Sequence, residues 1–291
     1  MTITLSTPDA GRLDAAIREL RDWQHEESPL QLHPGDLGWH RRFGAEKTAA
    51  AVRTWSRDGT LVALGFLDDP DVLRLTVAPD VWHEDTLARQ VVADLSDPRR
   101  GVLPPGKVSV ESPNGSRVQR LLDDSGWQAG EPWTPLRRDL ADPLDQSVLR
   151  IEVIDSGHES PFTAVHRSAW ANPRFTDELW QTMTAGSPYA EARCLLGYDE
   201  QAHAVAGVTV WSAGPGRPGL LEPMGVHADH RRRGYGAAIC IAAAAELKKL
   251  GSSSAQVCTQ SSLLSAVATY RAAGFQPLPE RLDRTFGPVG R

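Results

Sequence analysis

The feature that most constrains the fold is a strand that runs into a basic, glycine-rich loop and then into a long apolar helix. Residues 219–226 form an apolar run, residues 227–236 contain three consecutive arginines and two glycines, and residues 237–250 are rich in alanine and aliphatic side chains. The first backbone N–H groups of a helix lack intrahelical partners, and the helix dipole favours negative charge there. The segment therefore predicts an α/β arrangement with an anion site between strand and helix.

The composition of the loop indicates a pyrophosphate as the anion. Arg231, Arg232 and Arg233 supply positive charge, and Gly234 and Gly236 remove Cβ atoms where a ligand approaches the backbone. The spacing is not that of the Walker A loop or of the Rossmann dinucleotide fingerprint. A basic turn before a surface helix is the plainer interpretation of this loop taken alone.

Two motifs in the right order give the chain a family resemblance. The pattern Arg231-x-x-Gly234-x-Gly236 resembles the acyl-CoA pyrophosphate loop of the GNAT acyltransferase superfamily, and Tyr270-x-x-x-Gly274-Phe275 resembles the motif that ends its core. The resemblance implies acetyl-CoA as co-substrate. Ser262 is included in the implied site, although the family usually has asparagine at that point. The implied acetyl-CoA contacts are Met224, Gly225, Val226, His227, Arg231, Arg232, Arg233, Gly234, Tyr235, Gly236, Ala237 and Ser262.

The strand before the loop carries a candidate catalytic base. Pro223 cannot donate to a strand ladder, and Gly225 suits a bulge or a close backbone approach, so a bend is expected here. In the family such a splayed strand binds pantetheine through its backbone, which implies this role for Met224 and Val226. Glu222 lies on the same strand and is the candidate general base for an acceptor amine. A structural ion pair is the alternative for this carboxylate.

Tyr270 is the candidate general acid. By resemblance, this tyrosine protonates the departing CoA thiolate, and a phenol has a pKa of about 10, which suits that transfer. The alternative is a half-buried aromatic residue whose hydroxyl is bound to water. The base and the acid would then act from two different elements of one cleft.

An internal repeat indicates two tandem domains. The segment Val77–Leu87 matches Val226–Gly236 at an offset of 149 residues, and Gly126-Trp127 matches Gly274-Phe275 at an offset of 148. The predicted strand at 107–111 and helix at 116–124 also have counterparts in the second half. An unrelated α/β domain with chance landmarks is the weaker alternative.

The first copy has lost the residues of the site. Trp82, His83 and Glu84 stand opposite the three arginines, Asp85 and Leu87 stand opposite the two glycines, and Leu122 stands opposite the tyrosine. Carboxylates at that position repel a pyrophosphate. Residues 1–145 are therefore predicted to be a degenerate, non-catalytic GNAT-like domain that shapes the acceptor cleft, and residues 146–291 the active N-acetyltransferase domain.

The implied fold is mixed α/β, with two tandem GNAT-like domains. Each has a central, mostly antiparallel sheet that is splayed at one parallel strand pair and flanked by helices. In the second half the periodicity predicts the order β-α-α-β-β-β-α-β-α, with helices over 162–169 and from a capping Asp177 to 183. These helices commonly wall the acceptor site in the family. The aromatic residues that could line it, or simply pack, are Trp170, Phe175, Trp180 and Tyr189.

The composition argues against a nucleic-acid-binding, membrane or secreted protein. The net charge is −6, so the arginine cluster is local, and no nucleic-acid surface is expected. No apolar run has the length of a membrane span, no signal peptide is evident, and the three cysteines show no close pairs. We therefore expect a cytoplasmic monomer or homodimer without membrane partners or metal ligands. His166 and His227 are expected to be structural or to line a cleft.

The sequence does not identify the acceptor. The leading hypothesis is transfer of an acetyl group to a primary amine of a small molecule or peptide by direct attack in a ternary complex. One alternative is acetylation of a thiol-sugar amine, since the tandem architecture resembles that of mycothiol synthase. Aminoglycoside acetylation has no specific support. A hypothesis from another class is a non-catalytic acyl-CoA-binding or interaction module, against which the presence of both Glu222 and Tyr270 counts.

Overall fold

The computed structural model describes residues 2–287, which form one large mixed sheet flanked by helices. In the first half a strand, three helices and three strands are followed by two helix–strand pairs, and the last of these strands is long and ends at residue 139. In chain order these elements are β1 (Ile3–Ser6), α1 (Ala10–Asp22), α2 (Pro34–His40), α3 (Ala45–Ala51), β2 (Val52–Arg57), β3 (Thr60–Asp69), β4 (Val72–Val77), α4 (Asp85–Ser96), β5 (Val108–Glu111), α5 (Arg117–Asp124) and β6 (Gln128–Asp139).

The second half repeats this plan, and the predicted order β-α-α-β-β-β-α-β-α is confirmed. Two further strands follow the last helix of that order. The elements are β7 (Arg150–Val153), α6 (Ser160–Trp170), α7 (Asp177–Thr184), β8 (Ala192–Tyr198), β9 (Ala204–Ser212), β10 (Gly219–Val226), α8 (Tyr235–Lys249), β11 (Ser254–Gln260), α9 (Leu264–Ala272), β12 (Gln276–Pro277) and β13 (Arg281–Phe286).

The two halves exchange strands within a single thirteen-stranded sheet. The spatial order is β1-β2-β3-β4-β5-β13-β6-β11-β10-β9-β8-β7, and β12 pairs with β6 outside this path. The pairs β4–β5 and β10–β11 are parallel, and the other pairs are antiparallel. The last strand, β13, thus lies between two strands of the first half, and β6 pairs with β11 of the second. The domain boundary expected after residue 145 falls between β6 and β7 and stays a prediction.

The capping of two helices of the second half differs in detail from expectation. Helix α8 begins at Tyr235, two residues earlier than predicted, because Gly234 adopts φ +82° and acts as its N-cap. Helix α7 is capped by Thr176, whose side chain accepts a hydrogen bond from the N–H of Leu179 at 3.4 Å. The prediction that Asp177 is the cap was wrong. Its carboxylate instead accepts hydrogen bonds from the hydroxyls of Ser160 and Thr163 and so ties α7 to α6.

Helix α2 of the first half packs directly on β9 of the second. A Cβ atom at Gly35 would lie 2.5 Å from Cγ of Trp211, and one at Gly38 would lie 2.4 Å from its Cζ3. The indole of Trp211 is only 1% exposed. Glycine at two positions of one helix therefore lets the helix backbone rest against the indole, which joins the halves close to β10.

No helix within residues 2–287 is both long and apolar enough to cross a membrane.

Candidate active site

Strand β10 diverges from its parallel neighbour after two residues. Its pairing with β11 is confined to Gly219 with Ala255 and Leu220 with Gln256, whereas its pairing with β9 continues to Val226. The register with β9 shifts between Leu221 and Met224, which places an irregularity around Pro223. The predicted bend and bulge are therefore confirmed. Beyond Leu220 the side of β10 that faces β11 has backbone groups without a strand partner.

The divergence opens a cavity of about 580 Å³ to which both halves contribute. The second half contributes the splayed parts of β10 and β11 together with α6, α9 and β13. The first half contributes parts of α2, β3, β4, β5 and β6. The lining residues are Trp39, Asp68, Val72, Arg74, Glu111, Trp133, His166, Trp170, Asn172, Leu221, Glu222, Pro223, Met224, Val257, Cys258, Thr259, Leu263, Ala266, Tyr270, Arg281 and Asp283.

Glu222 lies at the irregular point of β10 and faces this cavity. Its side chain is 36% exposed, but this exposure is to the cavity, and the surrounding residues still desolvate the carboxylate. Burial raises the pKa of Glu222 above its ordinary value, although Arg74 at 4.0 Å opposes the shift. The Glu222 carbonyl oxygen accepts a hydrogen bond from Nε1 of Trp211 at 2.6 Å. A carboxylate with a raised pKa and a fixed backbone is suited to accept a proton near neutral pH.

Tyr270 projects from α9 into the same cavity. The residue is 7% exposed, and its hydroxyl forms no hydrogen bond within residues 2–287. Burial raises the pKa of Tyr270 above its ordinary value. The phenol therefore stays protonated at physiological pH, and its hydroxyl is free to donate to a ligand.

The basic loop is exposed at the start of α8. The guanidinium of Arg231 donates to the carbonyl oxygen of Ala169 at 2.5 Å, which ties the loop to the end of α6. Arg232 has φ +62° and no side-chain partner in the part of the chain that is described. The backbone N–H groups of residues 231–234 form no hydrogen bonds with described residues. These free donors beside exposed guanidinium groups make an arrangement that can hold an anion.

The two loop glycines serve different purposes. Gly234 needs its positive φ, and nothing lies within 4 Å of where its Cβ would be. At Gly236 a Cβ would lie 2.8 Å from Cγ2 of Thr269. The open space expected for a ligand is therefore above Gly234, while Gly236 lets α8 approach α9. Gly225 similarly allows α6 to pack on β10, since its Cβ would lie 2.5 Å from the Trp170 ring.

The corresponding loop of the first half is closed by its own ion pairs. Asp85, the first residue of α4, accepts a hydrogen bond from Nε of Arg117 at 2.6 Å and pairs with Arg89 at 2.5 Å. Glu84 pairs with Arg57 at 2.8 Å. Leu122, opposite Tyr270 in the repeat, is fully buried in the core of the first half. Carboxylates of the chain itself thus lie at the helix terminus that corresponds to the basic loop of the second half.

Sequence reasoning missed a buried charge network that the first half brings to Glu222. Arg74 on β4 pairs with Asp36 of α2 at 2.7 Å and with Glu111 of β5 at 2.9 Å. Burial alone would raise the pKa of Glu111, but Arg281 and Arg74 together hold it below its ordinary value. The only signal in the sequence was charged residues at strand positions that otherwise carry apolar side chains. No motif marks them, because their partners are distant in the chain.

The predicted aromatic and polar lining residues divide into two groups. Trp170 and His166 line the cavity, and burial lowers the pKa of His166 to about 4, so this ring is neutral at physiological pH. Phe175, Trp180 and Tyr189 pack in the hydrophobic core behind α6 and α7 instead. Ser262 is exposed at the start of α9, whereas the hydroxyl of Ser261 is bound to that of Thr134 at 2.7 Å. His227 accepts a hydrogen bond from the N–H of Asp229 at 3.3 Å.

A known protein family matches the segment that contains the candidate site. Residues 159–275, which include Glu222, the basic loop and Tyr270, match the model of the Acetyltransferase (GNAT) family. No curated protein sequence matches the chain.

Solved structures match the chain over almost its full length. A tandem GNAT protein from the clavulanic acid biosynthesis pathway is 15% identical, with a TM-score of 0.63 over 99% of this chain and 100% of its own. A GNAT-family acetyltransferase from Colwellia psychrerythraea is 16% identical, with a TM-score of 0.62 over 98% and 99%. A GCN5-related N-acetyltransferase from Sphaerobacter thermophilus is 17% identical, with a TM-score of 0.58 over 98% and 95%. At these identities the likeness concerns the fold, which is that of tandem GNAT proteins.

Proposed function

We propose that the protein is an acetyl-CoA-dependent N-acetyltransferase that acts on a primary amine. The observation that carries this proposal is the placement of Glu222 and Tyr270 on the wall of one cavity, at the point where β10 leaves β11. The exposed basic loop at the start of α8 directly follows β10. The candidate base, the candidate acid, the free strand edge and the basic loop thus all lie within the segment that matches the GNAT family model.

Acetyl-CoA is the proposed donor. Its pyrophosphate binds to the N–H groups and guanidinium groups of residues 231–236, and its pantetheine arm extends along the unpaired edge of β10. Met224 and Val226 offer backbone groups there, and the apolar side chains of Leu263 and Ala266 line the facing side of the cavity. The arm completes the strand ladder that β10 and β11 leave open, which satisfies backbone donors and acceptors.

The chemical steps follow from the two cavity residues. The Glu222 carboxylate takes a proton from the acceptor ammonium, and the amine lone pair then forms a C–N bond at the thioester carbonyl carbon. The N–H of Val226 polarises the carbonyl oxygen. Collapse of the tetrahedral adduct breaks the C–S bond, the nitrogen releases its second proton to solvent to give the neutral amide, and Tyr270 donates its proton to the CoA thiolate. The amide and free CoA leave, and solvent restores both residues to their starting protonation states.

Direct attack is favoured over an acetyl-cysteine intermediate. Cys258 lines the cavity, but burial raises the pKa of its thiol to about 12. The thiolate is the nucleophilic form of cysteine, so this side chain is a poor nucleophile near neutral pH. A ternary complex of protein, acetyl-CoA and amine is therefore the proposed reacting species.

The experiment that tests this proposal measures CoA release from acetyl-CoA with a panel of amines. The panel contains simple alkylamines, diamines, amino acids, an aminoglycoside and the desacetyl precursor of mycothiol. We expect Tyr270→Phe to lower kcat by about 10²-fold, because the proton donor is lost, and to leave acetyl-CoA affinity nearly unchanged. Unchanged kcat in this variant contradicts the acid assignment. Tight binding of acetyl-CoA without turnover of any amine instead favours a non-catalytic acyl-CoA-binding module.

A further inference from the structure

A row of alternating charges runs along the cavity wall. Starting from Glu222, the contacts are 4.0 Å to Arg74, 2.9 Å from Arg74 to Glu111, 2.6 Å from Glu111 to Arg281, and 3.6 Å from Arg281 to Asp283. All five side chains line the cavity. The row begins on β10, crosses two strands of the first half and ends on β13. Strand exchange therefore brings the last carboxylate to the site.

The carboxylates at the two ends of this row lack close cationic partners. Arg74 directs its short contacts to Asp36 and Glu111, and Arg281 makes its short contact with Glu111. Oδ1 of Asp283 is buried and accepts no hydrogen bond from the described residues. Burial raises the pKa of Asp283 to about 6, against the pull of Arg281, so the group is ionised at neutral pH. Glu222 and Asp283 thus present carboxylates to the cavity whose ion pairs, with Arg74 at 4.0 Å and with Arg281 at 3.6 Å, are longer than a hydrogen bond.

The remainder of the cavity lining is suited to an organic cation. The tryptophan rings that line it, Trp39, Trp133 and Trp170, already contact Arg42, Arg281 and His166, respectively, so they supply an apolar wall beside the carboxylates. Tyr270, which is over nine-tenths buried, directs an unpartnered hydroxyl into the same space. An acidic acceptor has no free guanidinium to bind here, because both arginines are already paired with carboxylates. The lining therefore selects for positive charge over negative charge.

We infer that the acceptor is a diamine: a small molecule whose reacting amine approaches Glu222 while a second ammonium group binds at Asp283. This inference rests on the proposed function and names the substrate class of the same site. Asp283 is a substrate-binding residue that takes no part in proton transfer. The second ammonium supplies the hydrogen-bond donor that Oδ1 of Asp283 lacks, and a buried carboxylate gains most from a charged donor.

The test measures binding without turnover, so it does not depend on catalysis. Protein saturated with CoA is titrated in a calorimeter with diamines from ethylenediamine to hexamethylenediamine and with the monoamines of equal chain length. A pH of about 8 keeps Asp283 ionised and the amines protonated. The best diamine is expected to bind about tenfold or more tightly than its matched monoamine.

Two variants test whether Asp283 is the origin of the diamine preference. Asp283→Asn keeps the shape of the side chain and is expected to remove the preference for diamines while monoamine affinity stays within about twofold. Asp68→Asn is the matched control, because Asp68 also lines the cavity but is exposed, so its charge is screened by solvent. The control is expected to retain the preference.

The outcomes separate the two proposals. Equal affinity for diamines and monoamines, or a preference that survives Asp283→Asn, overturns the diamine inference. Equal losses of the diamine preference in Asp283→Asn and Asp68→Asn also overturn it. Such a result indicates that the overall negative potential of the cavity attracts diamines, and not a binding site at Asp283. The proposed function fails separately, if acetyl-CoA does not bind or if no amine in the panel releases CoA.

Discussion

Glu222 shows how a common residue acquires a special environment from distant parts of the chain. The sequence places it on a bent strand, which is enough to suggest a base. The structure adds Arg74 at 4.0 Å, a hydrogen bond between Trp211 and the Glu222 carbonyl, and a cavity that desolvates the carboxylate. Burial wins over the attraction of Arg74, so the pKa of Glu222 is raised. The functional state of the group is therefore set by both halves of the molecule.

This environment predicts a distinct pH dependence. Only the ionised carboxylate accepts a proton, so kcat should fall as pH falls through the raised pKa of Glu222, with a midpoint above the ordinary value of about 4.3. Glu222→Gln should lower kcat by about 10²-fold or more at neutral pH and should abolish this acid limb. Profiles of kcat against pH for both proteins provide the test. If the limb persists in Glu222→Gln, another group is the base.

At the scale of elements, the cavity forms where the parallel strands β10 and β11 diverge. Pro223 and Gly225 made this bend predictable, because a proline interrupts a ladder and a glycine permits close approach of another backbone or ring. Trp170 of α6 occupies the space above Gly225. The corresponding pair in the first half, β4–β5, is paired at residues 72–74, and the side chains beyond that point are packed into a core.

Helix α2 is the element through which the first half supports the bent strand. It packs on Trp211, whose indole N–H is bound to the Glu222 carbonyl. Gly38→Ala places a methyl group 2.4 Å from the Trp211 ring, so we expect it to lower the free energy of unfolding by about 1–3 kcal/mol. Urea denaturation measures this change.

Gly11→Ala is the matched control for that helix substitution. Gly11 lies in α1, and its added Cβ would meet only Oδ1 of Asp9, at 3.4 Å. Alanine is favoured over glycine in a helix by about 1 kcal/mol, so this variant should be neutral or slightly more stable. Equal stability of Gly38→Ala and Gly11→Ala would show that α2 does not pack tightly against Trp211.

At the scale of the whole molecule, the two halves form one continuous sheet. The repeat offset near 149 predicted two similar plans, and the order of elements in each half agrees with it. Motifs and periodicity could not predict that β13 inserts between β5 and β6, because strand pairing depends on contacts far apart in sequence. For the same reason they missed the charge network: Arg74 meets Glu111 through the β4–β5 pairing, and Asp283 reaches them only through that insertion.

The proposed function places a single acetyl-CoA site in the second half of the molecule. It follows from a loop with free N–H groups at residues 231–234 and a counterpart closed by the ion pairs of Asp85. The most direct measurement is a calorimetric titration of acetyl-CoA into the intact protein. Two variants at equivalent positions of the repeat accompany it, Arg232→Glu in the open loop and His83→Glu in the closed one. Both side chains are exposed.

We expect a stoichiometry of one, a loss of at least about tenfold in acetyl-CoA affinity for Arg232→Glu, and no change in affinity for His83→Glu. Charge reversal next to a pyrophosphate both removes a donor and adds repulsion, whereas His83 lies outside the proposed site. A stoichiometry of two, or sensitivity to His83→Glu, would mean that the first half also binds acetyl-CoA. Absence of binding, or full affinity in Arg232→Glu, would contradict the assignment of the basic loop.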